Sequence, residues 1–573
     1  MSSFRFACVL SVLAVLGGCG DDDGAVPPSD AGPPSDAGPV DAGPFMPDFV
    51  CPGAPDCALG VDGQLEVGAA KAEITPVIDD STEIQLVDAN GNGEFEPSMG
   101  DTFRDVNGDG VFDGVWIAGF GSPRAASGVE NPQWARAVAL RRGETTIVLV
   151  SLDAVGYFYD EILAVRAMLP ASAGIDFLTV GATHSHEARD TMGIWGPSIV
   201  ETGTNEAYMD LIRHQIVRAA VDAVAALAPA HVQYASTRLR DQPGGVLHWV
   251  GDNRDPNIVD DEMRLMRFTR ADDSRTIATV VNFGAHAEYT GDSNQKLSSD
   301  WPNWLRDGIE NGALGPDGAM EPGVGGIALL FQAAIGVQIG PNHYHPAAWD
   351  GTELPRESTE TARTVGEQLA WIALRALGPA GGSTTEDNAT IGVRSKRFLV
   401  DVENVGYHLG ILFRVFYPRA TFNWDETRTI VAGINEPDLQ TETAVIDVGK
   451  TQMIAIPGEL DPSLFLGGYD GSYTPDGLPV VDLALENPPD LSRAPGPPYL
   501  RDLARADAEH VWLLGLTGDE IGYFIPEFDY QLDARMPYID EAPGHHYDET
   551  NSVGPSVWPR LRANVEDLLA WRP

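Results

Sequence analysis

Basic residues and cysteine are what this 573-residue chain has least of. Lys and Arg together number 37 against 84 Asp and Glu, a formal net charge of -47. A surface this acidic repels nucleic acid and anionic membrane, which removes both as expected partners. The acidic residues are spread along the chain, so they read as a solvated surface and not as an acidic tail. Only four cysteines are present, so disulfides cannot carry the fold. Aromatics make up 8% of the chain and histidines number 12, so a close pair of histidines calls for a reason. What is abundant is apolar sequence: 43% of the chain is hydrophobic, enough to bury one large core or two ordinary ones.

The chain opens on "MSSFRFACVLSVLAVLGGCG". Arg5 precedes a short apolar run and small residues follow, the pattern of a secretory signal, too short to span as a mature helix. Leu16-Gly17-Gly18-Cys19 resembles the lipobox of bacterial lipoproteins. That resemblance implies a signal peptide over 1–19, lipidation of Cys19, and export to the cell envelope by a lipid anchor. Gly20 stands where an Asp would favour inner-membrane retention, which leans towards an outer membrane. Residues 20–64 include "SDAGPPSDAGPVDAGP", which has no apolar face to bury and reads as a disordered tether. Cys51 and Cys57, in "CPGAPDC", fit a local disulfide in an oxidising compartment, with two free thiols as the alternative.

From about Leu65, strand-like runs alternate with helical patterns. Runs at 145–153, 175–182, 275–285, 326–334, 451–458 and 509–518 read as strands, and 158–169, 205–227 and 358–377 as helices. The expected fold class is α/β, a mixed layered α+β architecture, with one domain over 65–573. Two insertions stand out, 466–500 (Pro/Gly-rich) and 80–114. The second carries "DANGNGEFEP" and "DVNGDGVFDG". Asp88, Asn90 and Asn92, then Asp105, Asn107, Asp109 and Asp113, supply oxygen at the alternating positions that Ca²⁺ uses. Trp116 occupies the place of an EF-hand's last Glu, so these are not EF-hands. An acidic Asx-turn loop is the other reading.

The stretch "VGATHSHEARD" places His184 and His186 two apart, just past a strand-like run. In extended backbone, such residues leave the same face and enter one cleft. A third histidine, His286, follows the run "RTIATVVNF". Sites in layered sheets lie beyond the C-terminal ends of strands, and three histidines so placed read either as a metal site or as a polar turn beside an ordinary buried histidine. Glu459 and Tyr523 also stand a few residues past apolar runs.

At this point the order of motifs matters more than any one of them. "VGAAKAEITP" (67–76), "IAGFG" (117–121), "WARAVAL" (134–140), "VLVSLDAVGY" (148–157), "GATHSHEARD", "VDDEMRLMRF" (259–268), "NFGAHAEYT", "IPGEL" (456–460), "GDEIGYFIP" (518–526) and "HYDETNSVGP" (546–555) succeed one another. In that order they resemble the N-terminal catalytic domain of the neutral/alkaline, non-lysosomal ceramidase family. The resemblance implies a zinc-dependent hydrolase that cleaves an amide, in an N-acyl lipid such as ceramide or in a related amide, with hydroxide generated on the zinc as nucleophile. It assigns His184, His286, Glu459 and Tyr523 as zinc ligands. It places His186 beside the scissile amide and Tyr547 at the carbonyl oxygen. It also calls for an arginine, Arg238 or Arg240.

The chain departs from the family pattern at "AAIGVQIGPN" (333–342). Gly340 stands where the family carries Ser, and Gln338 where it carries Asp. The family's C-terminal immunoglobulin-like domain has no counterpart here. A second reading follows: a catalytically impaired ceramidase-like surface protein that binds lipid or calcium. A metallo-β-lactamase would need H-x-H-x-D-H, and Arg189 and Asp190 do not supply it. A TIM-barrel amidohydrolase would call for a Lys later in the chain, and Lys is scarce.

Overall fold

The computed structural model describes residues 49–50, 62–91, 95–121, 123–252, 254–340, 346–416 and 418–570. The expected signal peptide with Cys19, most of the expected tether, the Cys51/Cys57 pair and Asn92 lie outside the described residues. Among the described residues there are seven α-helices, none long and apolar enough to cross a membrane.

The strands that build the two large sheets are β1 (Glu66–Glu73), β2 (Trp134–Arg142), β3 (Thr145–Leu152), β4 (Phe177–Ala182), β5 (Ala228–Arg238), β6 (Glu262–Arg270), β7 (Thr276–Asn282), β8 (Ile327–Phe331), β9 (Thr384–Glu386), β10 (Ile391–Asp401), β11 (Asp438–Val448), β12 (Thr451–Ala455) and β13 (His510–Leu514). One sheet has the order β4-β3-β2-β1-β5-β6-β7-β8, with β9 branching onto β5. The other runs from Phe49–Val50 through β10, β11 and β12 to β13, with Thr421–Phe422 on β11. Most neighbours are antiparallel. Three pairs are parallel: β3 with β4, β7 with β8, and β12 with β13.

Alternation along these strands shows how the layers stack. In β12, Met453 and Ala455 join Val280 of β7, Leu149 of β3 and Trp512 of β13 in a core between the two sheets. Ile454 of β12 faces away, with Phe398, Leu513 and the helix Val557–Ala570. In β3, Val148, Val150 and Leu152 face outwards onto α1 (Tyr159–Met168) and α2 (Glu206–Ala225). Val281 of β7 packs with Leu305 of α3 (Trp301–Asn311) and Leu369 of α4 (Thr359–Leu377). Side chains two apart point to one face and neighbours to the other, so strands buried on both faces carry near-continuous apolar runs. The result is a four-layer stack: helices, sheet, sheet, helices. The expected mixed α+β class is what the chain adopts, and the helices read at 158–169, 205–227 and 358–377 form within two residues of those bounds.

A buried ion pair locks α3 to the end of β3. Arg306 of α3 reaches Asp153 with both arms, at 2.6 and 2.9 Å, and neither side chain is exposed. Asp153 also accepts from Trp134 N–H and the Ser299 hydroxyl. Removing one partner leaves an uncompensated buried charge, which costs about 3–5 kcal/mol. Asp153→Ala is therefore expected to lower the free energy of unfolding by that amount, read as a fall in the denaturant midpoint; a change under about 1 kcal/mol would show that the pair is not sequestered.

Candidate metal centre

The three parallel pairs aim their C-terminal ends at one point. β4 leads into His184 and His186, β7 into His286, β12 into Glu459 and β13 into Tyr523. Glu459 and Tyr523 sit opposite each other in a short parallel bridge. Ala182 N–H donates to Leu516 O, and Gly518 N–H to Val180 O, so the two sheets are stitched together at this end. All five residues are at most 8% exposed.

The donor atoms converge. His286 Nε2 lies 3.0 Å from Glu459 Oε2 and 3.1 Å from Tyr523 Oη. His184 Nε2 is 3.5 Å from the same Glu459 oxygen and 3.1 Å from His186 Nε2. The far nitrogens of the two assigned ligands are already used: His184 Nδ1 donates to Val155 O at 2.6 Å, and His286 Nδ1 to Gln338 O at 3.2 Å. A proton held on Nδ1 leaves the Nε2 lone pair facing inwards, the tautomer a metal ligand needs. Two imidazole lone pairs, a carboxylate and a phenol oxygen directed at one another suit a cation and little else. His, Glu and Tyr are a donor set that Zn²⁺ accepts. One nitrogen from each of His184, His186 and His286 lies within 4.8 Å of the other two, a buried cluster among the described residues that could hold a metal ion.

Electrostatics agree. Burial pulls His184 down to about 4, against the opposing field of Glu459, so its ring is neutral near pH 7. Burial and the neighbouring His184, His286 and Arg124 hold His186 well below the ordinary imidazole range. At Glu459, burial pushes the carboxyl up but the two histidines outweigh it, and the carboxylate stays ionised. Glu459 in turn raises His286 against the effect of its burial, and this buried negative charge favours a positive charge at the centre.

The expectation that alternation in extended backbone brings His184 and His186 together is only half right. They do meet, but β4 ends at Ala182, and His184 adopts φ 60°. A non-glycine residue there costs on the order of 1–2 kcal/mol, and it is held by Thr183 N–H to Leu152 O and Ser185 N–H to Ala154 O. Gly119, φ 106°, makes room for His186: a Cβ there would stand 2.2 Å from the His186 Cβ. Below His186, buried Arg124 donates to His186 O and Ala118 O, both at 2.6 Å, and to Glu187 at 3.0 Å.

The fold resembles that of neutral ceramidases. Neutral ceramidase from Pseudomonas aeruginosa superposes with a TM-score of 0.55 over 89% of this chain and 74% of that one, at 16% identity. A ceramidase complexed with C2 gives 0.56 over 89% and 75%, at 15% identity. No family model and no curated protein matches the sequence.

Tyr547 stands at the rim. Its ring is 5.9 Å from that of Tyr523, edge to face, and its hydroxyl donates to Asp252 at 2.5 Å. Arg238 and Arg240 both close on the buried Asp261, each at 2.6 Å, which occupies both candidates. The acidic loop folds on itself: Asp105 accepts from Gly108 and Gly110 N–H, Asp109 from Val111 N–H, and Asp88 from Gly91 N–H. Asn107 reaches Asp109 at 2.9 Å and Asp113 at 3.3 Å, and Asn90 reaches Glu96 at 2.9 Å. Sequence reasoning missed Arg124, the supporting carbonyls of Val155 and Gln338, and Glu288, whose Oε2 is 3.5 Å from His186 Nδ1. The carbonyls carry no side-chain signal; Glu288 could have been picked out by its place two residues past His286.

The segment bearing Tyr547 is pinned by Arg254, which bonds Glu549 at 2.7 and 3.0 Å and Asp529 at 3.0 Å. Burial would raise Glu549, but Arg254 and His546 draw it down to about 2. A carboxyl depressed in the folded state contributes stability above its unfolded value near 4.5 and loses it as pH falls towards 2. Glu549→Gln is therefore expected to be less stable than the parent above pH 4.5, with the gap closing on acidification. Denaturation curves at several pH values check this, and a gap that widens in acid would contradict it.

Proposed function

We propose that the chain is a zinc-dependent hydrolase that cleaves an amide, in an N-acyl lipid such as ceramide or in a related amide. The observation that carries this reading is the convergence of His184, His286, Glu459 and Tyr523, with the proton on each of the two rings fixed by a backbone carbonyl. These four residues would hold the ion. A zinc ion there supplies Lewis acidity and water of lowered pKa. His186 has no carbonyl holding its Nδ1, and its Nε2 faces the centre. It serves as the proton carrier, taking a proton from the attacking water and passing one to the leaving amine. Tyr547 Oη gives its one proton to Asp252 in this structure; turned from Asp252 to the substrate, it donates that proton to the carbonyl oxygen as charge develops there, a contribution worth several kcal/mol for an aligned donor. The lipobox motif adds an anchor at Cys19 and a place outside the cytoplasm.

A second reading, a ceramidase-like surface protein that binds lipid or calcium without turnover, draws on Gly340. A Cβ at this position would stand 1.9 Å from the Tyr289 ring, so the family's serine cannot be restored there without moving Tyr289. Hydrolysis assays on a short-chain N-acyl sphingoid amide and its matched ester separate the two. The hydrolase reading expects cleavage that stops on chelation, returns with zinc, and falls by at least about 100-fold in His286→Ala, in line with the loss of an essential activated water. Activity that survives both treatments would overturn the zinc assignment. Stoichiometric zinc without cleavage of any amide would favour the binding protein.

A further inference from the structure

Each histidine of the centre has an oxygen beside its far nitrogen. For His184 and His286 that oxygen is a main-chain carbonyl, Val155 O and Gln338 O. For His186 it is a side chain, Glu288, with Oε2 3.5 Å from Nδ1. His186 Nδ1 is otherwise buried without a hydrogen-bond partner, and an unpaired buried polar group costs about 1–3 kcal/mol. Glu288 is not a surface acid that drifted near. Its side chain is 12% exposed, and Gly340 N–H donates to it. The turn that carries it is fixed by Asp300, which accepts from Tyr289 N–H, Thr290 N–H and the Thr290 hydroxyl. The bare Gly340 leaves space for the Tyr289 ring.

We propose that Glu288 is the positioning residue of His186, closing by a small shift onto Nδ1 and so keeping the proton there and the Nε2 lone pair turned to the centre, where a bound cation would stand between it and the His184 lone pair that it otherwise faces at 3.1 Å. The proposal rests on the reading of His186 as a proton carrier. A carboxylate partner fixes the tautomer and ring orientation of an imidazole, which is what a ring without a metal of its own needs in order to present one nitrogen to the centre.

Histidine ¹⁵N spectra of the full chain as purified test it without relying on turnover. The His186 signals are those lost in His186→Ala. The expected parent pattern is a protonated Nδ1 and an unprotonated Nε2. In Glu288→Ala that pattern is expected to give way to the Nε2–H form or to a mixture, while the His184 and His286 signals and zinc content stay as in the parent. Glu288→Gln, which keeps an acceptor oxygen, is expected to retain the parent tautomer. An unchanged His186 tautomer in folded Glu288→Ala, or a parent His186 already protonated on Nε2, would overturn the proposal. Where the parent cleaves an amide, Glu288→Ala is expected to lower kcat by about 10- to 100-fold with KM within threefold; a change in KM alone would count against positioning. A parent inactive on every amide would defeat the hydrolase reading and leave the tautomer result to stand by itself.

Discussion

Gln332 holds together the point at which the two sheets meet. Its side-chain amide is fully buried, donates to Thr183 O and Ala285 O, and accepts from Ala285 N–H. Its own carbonyl takes Gly515 N–H. One residue at the end of β8 thus ties the strand ends that lead to His184, His286 and Tyr523. Asn282 adds a bond from the end of β7 to Leu513 O. A buried amide whose N–H groups and oxygen are all paired, as in Gln332, is rigid, because any shift leaves a polar group unpaired in a low dielectric. That rigidity is what lets donors from four separate strands arrive 3.0 to 3.5 Å from a neighbouring donor without a covalent link, as preorganised sites require.

The chemistry follows from how this end is finished. In each parallel pair one strand delivers a donor. In two of the pairs the other strand delivers its support: Val155 after β3 serves His184 after β4, and Gln338 after β8 serves His286 after β7. In the third pair both strands deliver donors, Glu459 and Tyr523. His186 is the exception, supported by a side chain and resting on the Arg124 cradle. The strain at His184 and the bare backbone at Gly119 are local costs of bringing two adjacent histidines into one cleft.

Much of this was legible in the sequence. Apolar runs such as Thr145–Leu152 and Thr451–Ala455 are strands buried on both faces, and their composition says so. Strands that carry charge inside the fold were harder to see. Arg136 of β2 meets Glu310, Arg264 of β6 meets Asp260, and Arg394 of β10 meets Asp447. Each pair breaks the apolar pattern of a strand that is nonetheless buried. The H-x-H pair announced a candidate metal site, and His286 joined it by its position past a strand. Glu459 and Tyr523 came only with the family resemblance, since a Glu and a Tyr past apolar runs are too common to single out. Support by main-chain carbonyls was invisible, because a carbonyl at Val155 or Gln338 is the same group at every residue.

The central claim is that one zinc ion belongs among His184, His286, Glu459 and Tyr523. Anomalous diffraction on either side of the zinc absorption edge, from crystals of the zinc-loaded protein, tests it most directly. The account predicts one strong edge-dependent peak within bonding distance of the four donor atoms. Zinc peaks only at other residues, with none at this centre, would contradict it.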